Sequence, residues 1–150
     1  RYHTVLEDIK CELDGHDGER RGGYFCSYPV FQGIYHLNRR LLDRVGTSSY
    51  LMLCTILDGK GNPMKEGSVL DRLSERLIES VCVSVRRGDT LCSYGKGQCL
   101  VLLVNTTRED CSIVEQRINK NFIMGRQRIS IQYDISSVDP DDGSTFRKSC

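Results

Sequence analysis

The sequence holds no tryptophan, three prolines and three histidines in 150 residues. So little proline leaves no polyproline tract, and no low-complexity segment or internal repeat is present. The histidines, His3, His16 and His36, stand apart from one another and from any cysteine at zinc-ligand spacing. No G-x-S-x-G elbow or H-E-x-x-H helix occurs, so the common hydrolase and metalloprotease patterns are absent. Neither sign of charge dominates: 21 basic against 20 acidic residues leave a net +1. Such a balance gives no electrostatic reason for direct contact with nucleic acid or a membrane surface. No apolar run approaches the roughly 18 residues of a membrane span; the longest, Leu100–Val104 (LVLLV), has strand length.

Cysteine, by contrast, is abundant: Cys11, Cys26, Cys54, Cys82, Cys92, Cys99, Cys111 and Cys150. None forms a C-x-x-C pair. Cys54 and Cys99 lie inside apolar runs and Cys82 in a helical pattern, so they read as small buried hydrophobes in a reducing cytoplasm. A chain of this length is expected to fold as one domain with a sizeable core. It begins at Arg1, and we expect a domain excised from a longer cytoplasmic protein.

Val5, Ile9 and Leu13 share one helical stripe, and the polar, glycine-rich DGHDGERRGG follows as a loop. Residues 1–24 are thus expected to be a linker. A long amphipathic helix is expected from about Pro29 to Gly46, with Phe31, Ile34, Tyr35, Leu42 and Val45 inward and Asn38 interrupting the stripe. Arg39, Arg40, Asp43 and Arg44 fall mostly on its solvated face. SYLMLCTIL (Ser49–Leu57) predicts a central strand buried on both faces. Ser68 caps a helix to about Val85 with Leu70, Leu73, Leu77, Ile78 and Val81 inward. TLCSY and CLVLLV predict two strands. Thr107 caps a helix to about Phe122 with Cys111, Val114 and Ile118 inward, and Ile129, Ile131, Tyr133 and Ile135 alternate as a half-buried strand. Residues 139–150 read as a loose tail. One hairpin among helical crossovers predicts an α/β (α+β) sandwich: a mixed central sheet with helices on both faces.

Two glycine-marked turns invite a phosphate-binding reading. YGKGQC joins two strands and lacks Ser or Thr after Lys96, while DGKGNP has the wrong spacing, so neither makes a P-loop. Metal-assisted phosphoryl transfer needs carboxylates converging at strand ends, and the central strand has none before Asp58.

From about Phe25 to Val138 the chain resembles the GGDEF domain of diguanylate cyclases. The match rests on RRGDTLCSYGKGQCLVLLV, which has the family's R-x-x-D step, signature hairpin and apolar strand. YFCSYPVFQGIYHLNRR further resembles degenerate domains attached to bacterial transcriptional activators. The signature falls on Gly95, Lys96, Gly97, Gln98 and Cys99, and only its first glycine is kept. In ungapped register the family's metal-binding Asp falls on Cys54, a second acidic position on Ile56, and the loop Lys on Gly59. Divalent cations need hard oxygen ligands, which these residues do not supply. The resemblance therefore implies no catalytic residues, no metal and no cyclase activity. The family's C-terminal helix pattern is missing as well.

Two pairs of polar positions are kept. The family's guanine-reading Asn and Asp fall on Asn62 and Asp71, implying a GTP contact; equally, Asn62 suits a turn and Asp71 a first-turn helix acid. Arg86 and Asp89 match the family's allosteric cyclic di-GMP site, where Arg forks onto phosphate or guanine and Asp accepts from the guanine. The same residues suit a helix end with Gly88 at C′ and basic side chains at the C-terminus. The resemblance implies no cofactor, with cyclic di-GMP or GTP as the ligands to test. It implies a catalytically inactive regulatory module of a bacterial signalling or transcription-regulatory protein. Other domains of the same protein, or a second copy, are its expected partners.

Overall fold

A computed structural model describes residues 4–15, 22–122, 128–141 and 143. His3, His16, Cys150 and most of the expected loop and tail lie outside these. The described chain runs α1 (Val5–Gly15), β1 (Tyr24–Phe25), α2 (Tyr28–Val45), β2 (Tyr50–Leu57), α3 (Ser68–Ser84), β3 (Thr90–Ser93), β4 (Gln98–Leu103), α4 (Arg108–Phe122) and β5 (Ser130–Ser137). The five strands form one sheet in the order β1-β3-β4-β2-β5. β1 pairs parallel with β3, and the other pairings are antiparallel. The expected mixed sheet with helices on both faces is therefore observed.

Alternation along the strands sends side chains to two cores. On one face Met52, Cys54 and Ile56 of β2 meet Cys99, Val101 and Leu103 of β4, beneath Leu73, Leu77 and Val81 of α3 and Ile118 of α4. Ile131, Tyr133 and Ile135 of β5 pack against this core half-buried. On the other face Cys92 and Leu102 meet Phe31 and Leu42 of α2.

Local details refine the expected boundaries. Pro29 lies in the first turn of α2 behind the N-cap Ser27, and Gly46 closes the helix at φ 68°. Thr107 Oγ1 accepts the Asp110 N–H, as a cap should. Ser68 is the first helical residue of α3 rather than its cap, which is Gly67. The helix ends at Ser84 with Val85 extended and no basic residue in its last turn. Gly88 therefore is not a C′ residue, and it is not among the positive-φ glycines. β1 carried no strand pattern in the sequence. It exists because β3 offers an edge: Tyr24 N–H donates to the Asp89 carbonyl at 2.8 Å and Cys26 N–H to the Leu91 carbonyl at 3.0 Å.

Candidate functional site

The β3–β4 hairpin closes through a turn, Gly95–Gln98, in which Gln98 N–H donates to the Gly95 carbonyl at 3.0 Å. Gly97 adopts φ 72° there, a conformation that only glycine takes cheaply. A Cβ on Gly97 would lie 2.9 Å from Leu70 Cδ1, so the tip is pressed onto the first turn of α3. The Gly97 N–H donates to Ser74 Oγ at 2.9 Å, while Ser74 Oγ donates to the Leu70 carbonyl. Lys96 is left exposed at the tip.

Beneath this turn, Cys54 faces Cys99 in register across β2 and β4. Cys54, Ile56 and Cys99 are at most 1% exposed. Burial raises the pKa of both thiols, which keeps them protonated. Cys92, on the opposite face, is pushed up to about 11 by burial. These sulfurs act as hydrocarbon. No disulfide joins the seven described cysteines.

The loop after β2 is organised by Asp58. Its Oδ1 accepts the N–H groups of Lys60 at 2.8 Å and Asn62 at 3.0 Å. These bonds hold its pKa below the usual carboxylate value. Asn62 serves that loop through its backbone, since its carbonyl also accepts the Asp58 N–H. Asp71 sits in the first turn of α3. The Asn62 and Asp71 side chains are exposed, and no hydrogen bond joins them.

Arg86 and Asp89 are brought together in the turn between α3 and β3. Asp89 is 1% exposed. Its Oδ2 accepts the Arg86 N–H at 2.8 Å and its Oδ1 the Val104 N–H at 3.0 Å. The carboxylate thus ties the start of β3 to the chain leaving β4. Arg86 Nε lies 3.7 Å from Asp89 Oδ2, with the Arg86 side chain 56% exposed. The guanidinium also donates to the Val104 and Asn105 carbonyls. Beside it opens a cavity of about 210 Å³, lined by Arg86, Asp89, Thr106, Asp110 and Arg117 among others. Arg117 was not singled out in the sequence. It lies on α4 far along the chain, and only the packing of α3 against α4 sets it on the cavity with Arg86.

No family model matches the sequence, and no curated protein matches it. The fold, however, is that of known structures. The active GGEEF domain of a diguanylate cyclase from Vibrio cholerae superposes with a TM-score of 0.63 at 14% identity, covering 79% of each chain. Diguanylate cyclase SiaD of Pseudomonas aeruginosa, solved with its activator SiaC, gives 0.62 at 13% identity. There the match covers 92% of this chain, which spans only 56% of the length of that one. The coiled coil and GGDEF domain of DgcB from Caulobacter crescentus, in complex with c-di-GMP, gives 0.60 at 10% identity over 90% of this chain and 78% of that. The sheet of mixed pairing, the two helical layers and the hairpin above Cys54 thus form a GGDEF-like fold.

Proposed function

We propose that this chain is a catalytically silent GGDEF-like regulatory domain, working through contacts with other domains and through cyclic di-GMP at Arg86. Its parent is a bacterial signalling or transcription-regulatory protein. The observation that carries the proposal is the apolar packing of Cys54 and Ile56, at most 1% exposed and set against Cys99, where the resemblance calls for carboxylates at Cys54 and Ile56. A thiol and a branched alkane offer no oxygen to a divalent cation. Leu70 against Gly97 further fills the space beneath the hairpin tip. Incubation with GTP and Mg²⁺ or Mn²⁺ is expected to yield no cyclic di-GMP, and clear turnover overturns this reading.

The ligand half of the proposal rests on Arg86 and Arg117, two guanidinium groups on one cavity. Such groups fork onto phosphate oxygens. Asp89 has both carboxylate oxygens committed to backbone N–H groups, so its part is to position Arg86. Titration calorimetry with cyclic di-GMP is expected to register binding to the wild type and none to Arg86→Ala. No heat at high micromolar ligand leaves the domain as an interaction module alone. The same titration with GTP, on wild type and Asp71→Ala, tests whether the exposed Asn62 and Asp71 read guanine without turnover.

A further inference from the structure

Helix α1 has no buried residue. Its apolar side chains still keep to one stripe: Val5, Leu6, Ile9 and Leu13 recur at helical spacing and are 75, 73, 44 and 67% exposed. A three-turn helix gains little stability by itself and depends on packing such a stripe. The chain carries a second bare stripe on α2. Phe31 and Leu42 face the core, but Val30, Leu37 and Leu41 point away from it at 47, 56 and 47% exposure. Gly33 lies between them with open space where a Cβ would stand, which leaves a notch for a large side chain.

Charge distinguishes the partners. α1 carries Glu7, Asp8, Glu12 and Asp14 against Lys10, whereas α2 carries Arg39 and Arg40. Two α1 helices side by side would bring like charges together; α1 on α2 brings opposite ones together. On the helical wheel Asp8 and Glu12 flank the α1 stripe on one side, and Arg40 flanks the α2 stripe on the corresponding side. Antiparallel packing sets those two flanks against each other, and parallel packing sets them apart.

We propose that α1 docks antiparallel on the outer stripe of α2 in a second copy of this chain, each copy giving its α1 and receiving the other's. The exchange is isologous and closes as a dimer. It stands apart from the ligand reading, since neither stripe contains Arg86 or a hairpin residue.

Sedimentation equilibrium on the intact chain tests it. The wild type is expected to dimerise. Ile9→Asp and Leu37→Glu, both at exposed positions, should each weaken association by about tenfold or more, since each sets a charge in an apolar seam. Circular dichroism should be unchanged. Asp8→Arg and Arg40→Asp should each weaken it by about two- to fivefold, and the double variant should regain the lost affinity. A wild type that stays monomeric overturns the proposal. So does a dimer indifferent to Leu37→Glu, which would place α1 on another surface, and so does a double variant no tighter than the two singles.

Discussion

The two ends of strand β3 have opposite characters. At its start, Asp89 is a buried charge with every oxygen engaged. Past its far end, the Gly95–Gln98 turn sits over thiols and aliphatic side chains that make no polar contact across the strands. In the first region the backbone depends on the carboxylate, which accepts the Arg86 and Val104 N–H groups. The second holds no carboxylate: Cys54, Ile56 and Cys99 fill the space beneath the turn with apolar groups. A buried carboxylate is tolerated where backbone donors satisfy it, and apolar packing suffices where none point inward.

The sharpest way to break this contrast is to return a carboxylate to the hairpin end. Cys54→Asp places a charge in a site that is 0% exposed with no donor waiting for it. We expect a loss of about 3–5 kcal/mol in urea unfolding, smallest in acid, where the introduced carboxyl is protonated. The loss should grow as pH rises, because burial raises the folded-state pKa and the ionised form favours the unfolded chain. A stable Cys54→Asp variant at neutral pH would mean that the site is wetter than its packing implies.

Asp89→Ala attacks the other end. It strands the Arg86 and Val104 N–H groups, and removal of buried acceptors costs about 1–3 kcal/mol for each group left unsatisfied. We expect about 3 kcal/mol by chemical denaturation, with Asp89→Asn recovering part of it. A loss below about 1 kcal/mol would show that the carboxylate is not the tie between the turn and Val104. Next in size comes Gly97→Ala. It combines a φ of 72° with a contact to Leu70 that has no room for a methyl group. About 1–2 kcal/mol should be lost, and a Leu70→Ala background should recover the steric share but not the conformational one.

What was legible in the sequence follows the same contrast. The α3 stripe Leu70, Leu73, Leu77, Ile78 and Val81 is periodic; Ile78 is half-buried against the core and the other four are buried. The central strand was legible from its apolar run, although it is not buried on both faces: Leu51, Leu53, Thr55 and Leu57 are only half-buried, on the side toward α2. β1 was illegible because two residues hold no period, and their strand geometry comes from β3. Gly88 misled for a related reason. A basic run with glycine suggests a helix end, but α3 has already stopped at Ser84 with Val85 extended, and Asp89 Oδ2 accepts the Arg86 N–H in the turn that follows. Arg117 illustrates the limit for sites: its place on the cavity with Arg86 depends on α3–α4 packing, held in part by the Asn121 Nδ2 donation to Ser84 Oγ at 2.8 Å.

The smallest expected effect on stability is the most informative one about function. Arg86 donates to the Val104 and Asn105 carbonyls, yet its side chain is 56% exposed. Exposed pairs of this kind contribute about 0–1 kcal/mol, and water can replace the guanidinium at both carbonyls. Arg86→Ala should therefore unfold within about 1 kcal/mol of the wild type while losing cyclic di-GMP binding. Arg86→Lys keeps the charge and loses the fork, so it should bind more weakly than wild type if phosphate is gripped in a bidentate manner. Arg117→Ala should weaken binding too, because the two arginines share one cavity. Suppose instead that Arg86→Ala proves as destabilising as Asp89→Ala. Then the pair is a single structural staple, the two ends of β3 differ only in polarity, and the domain acts through its surfaces alone.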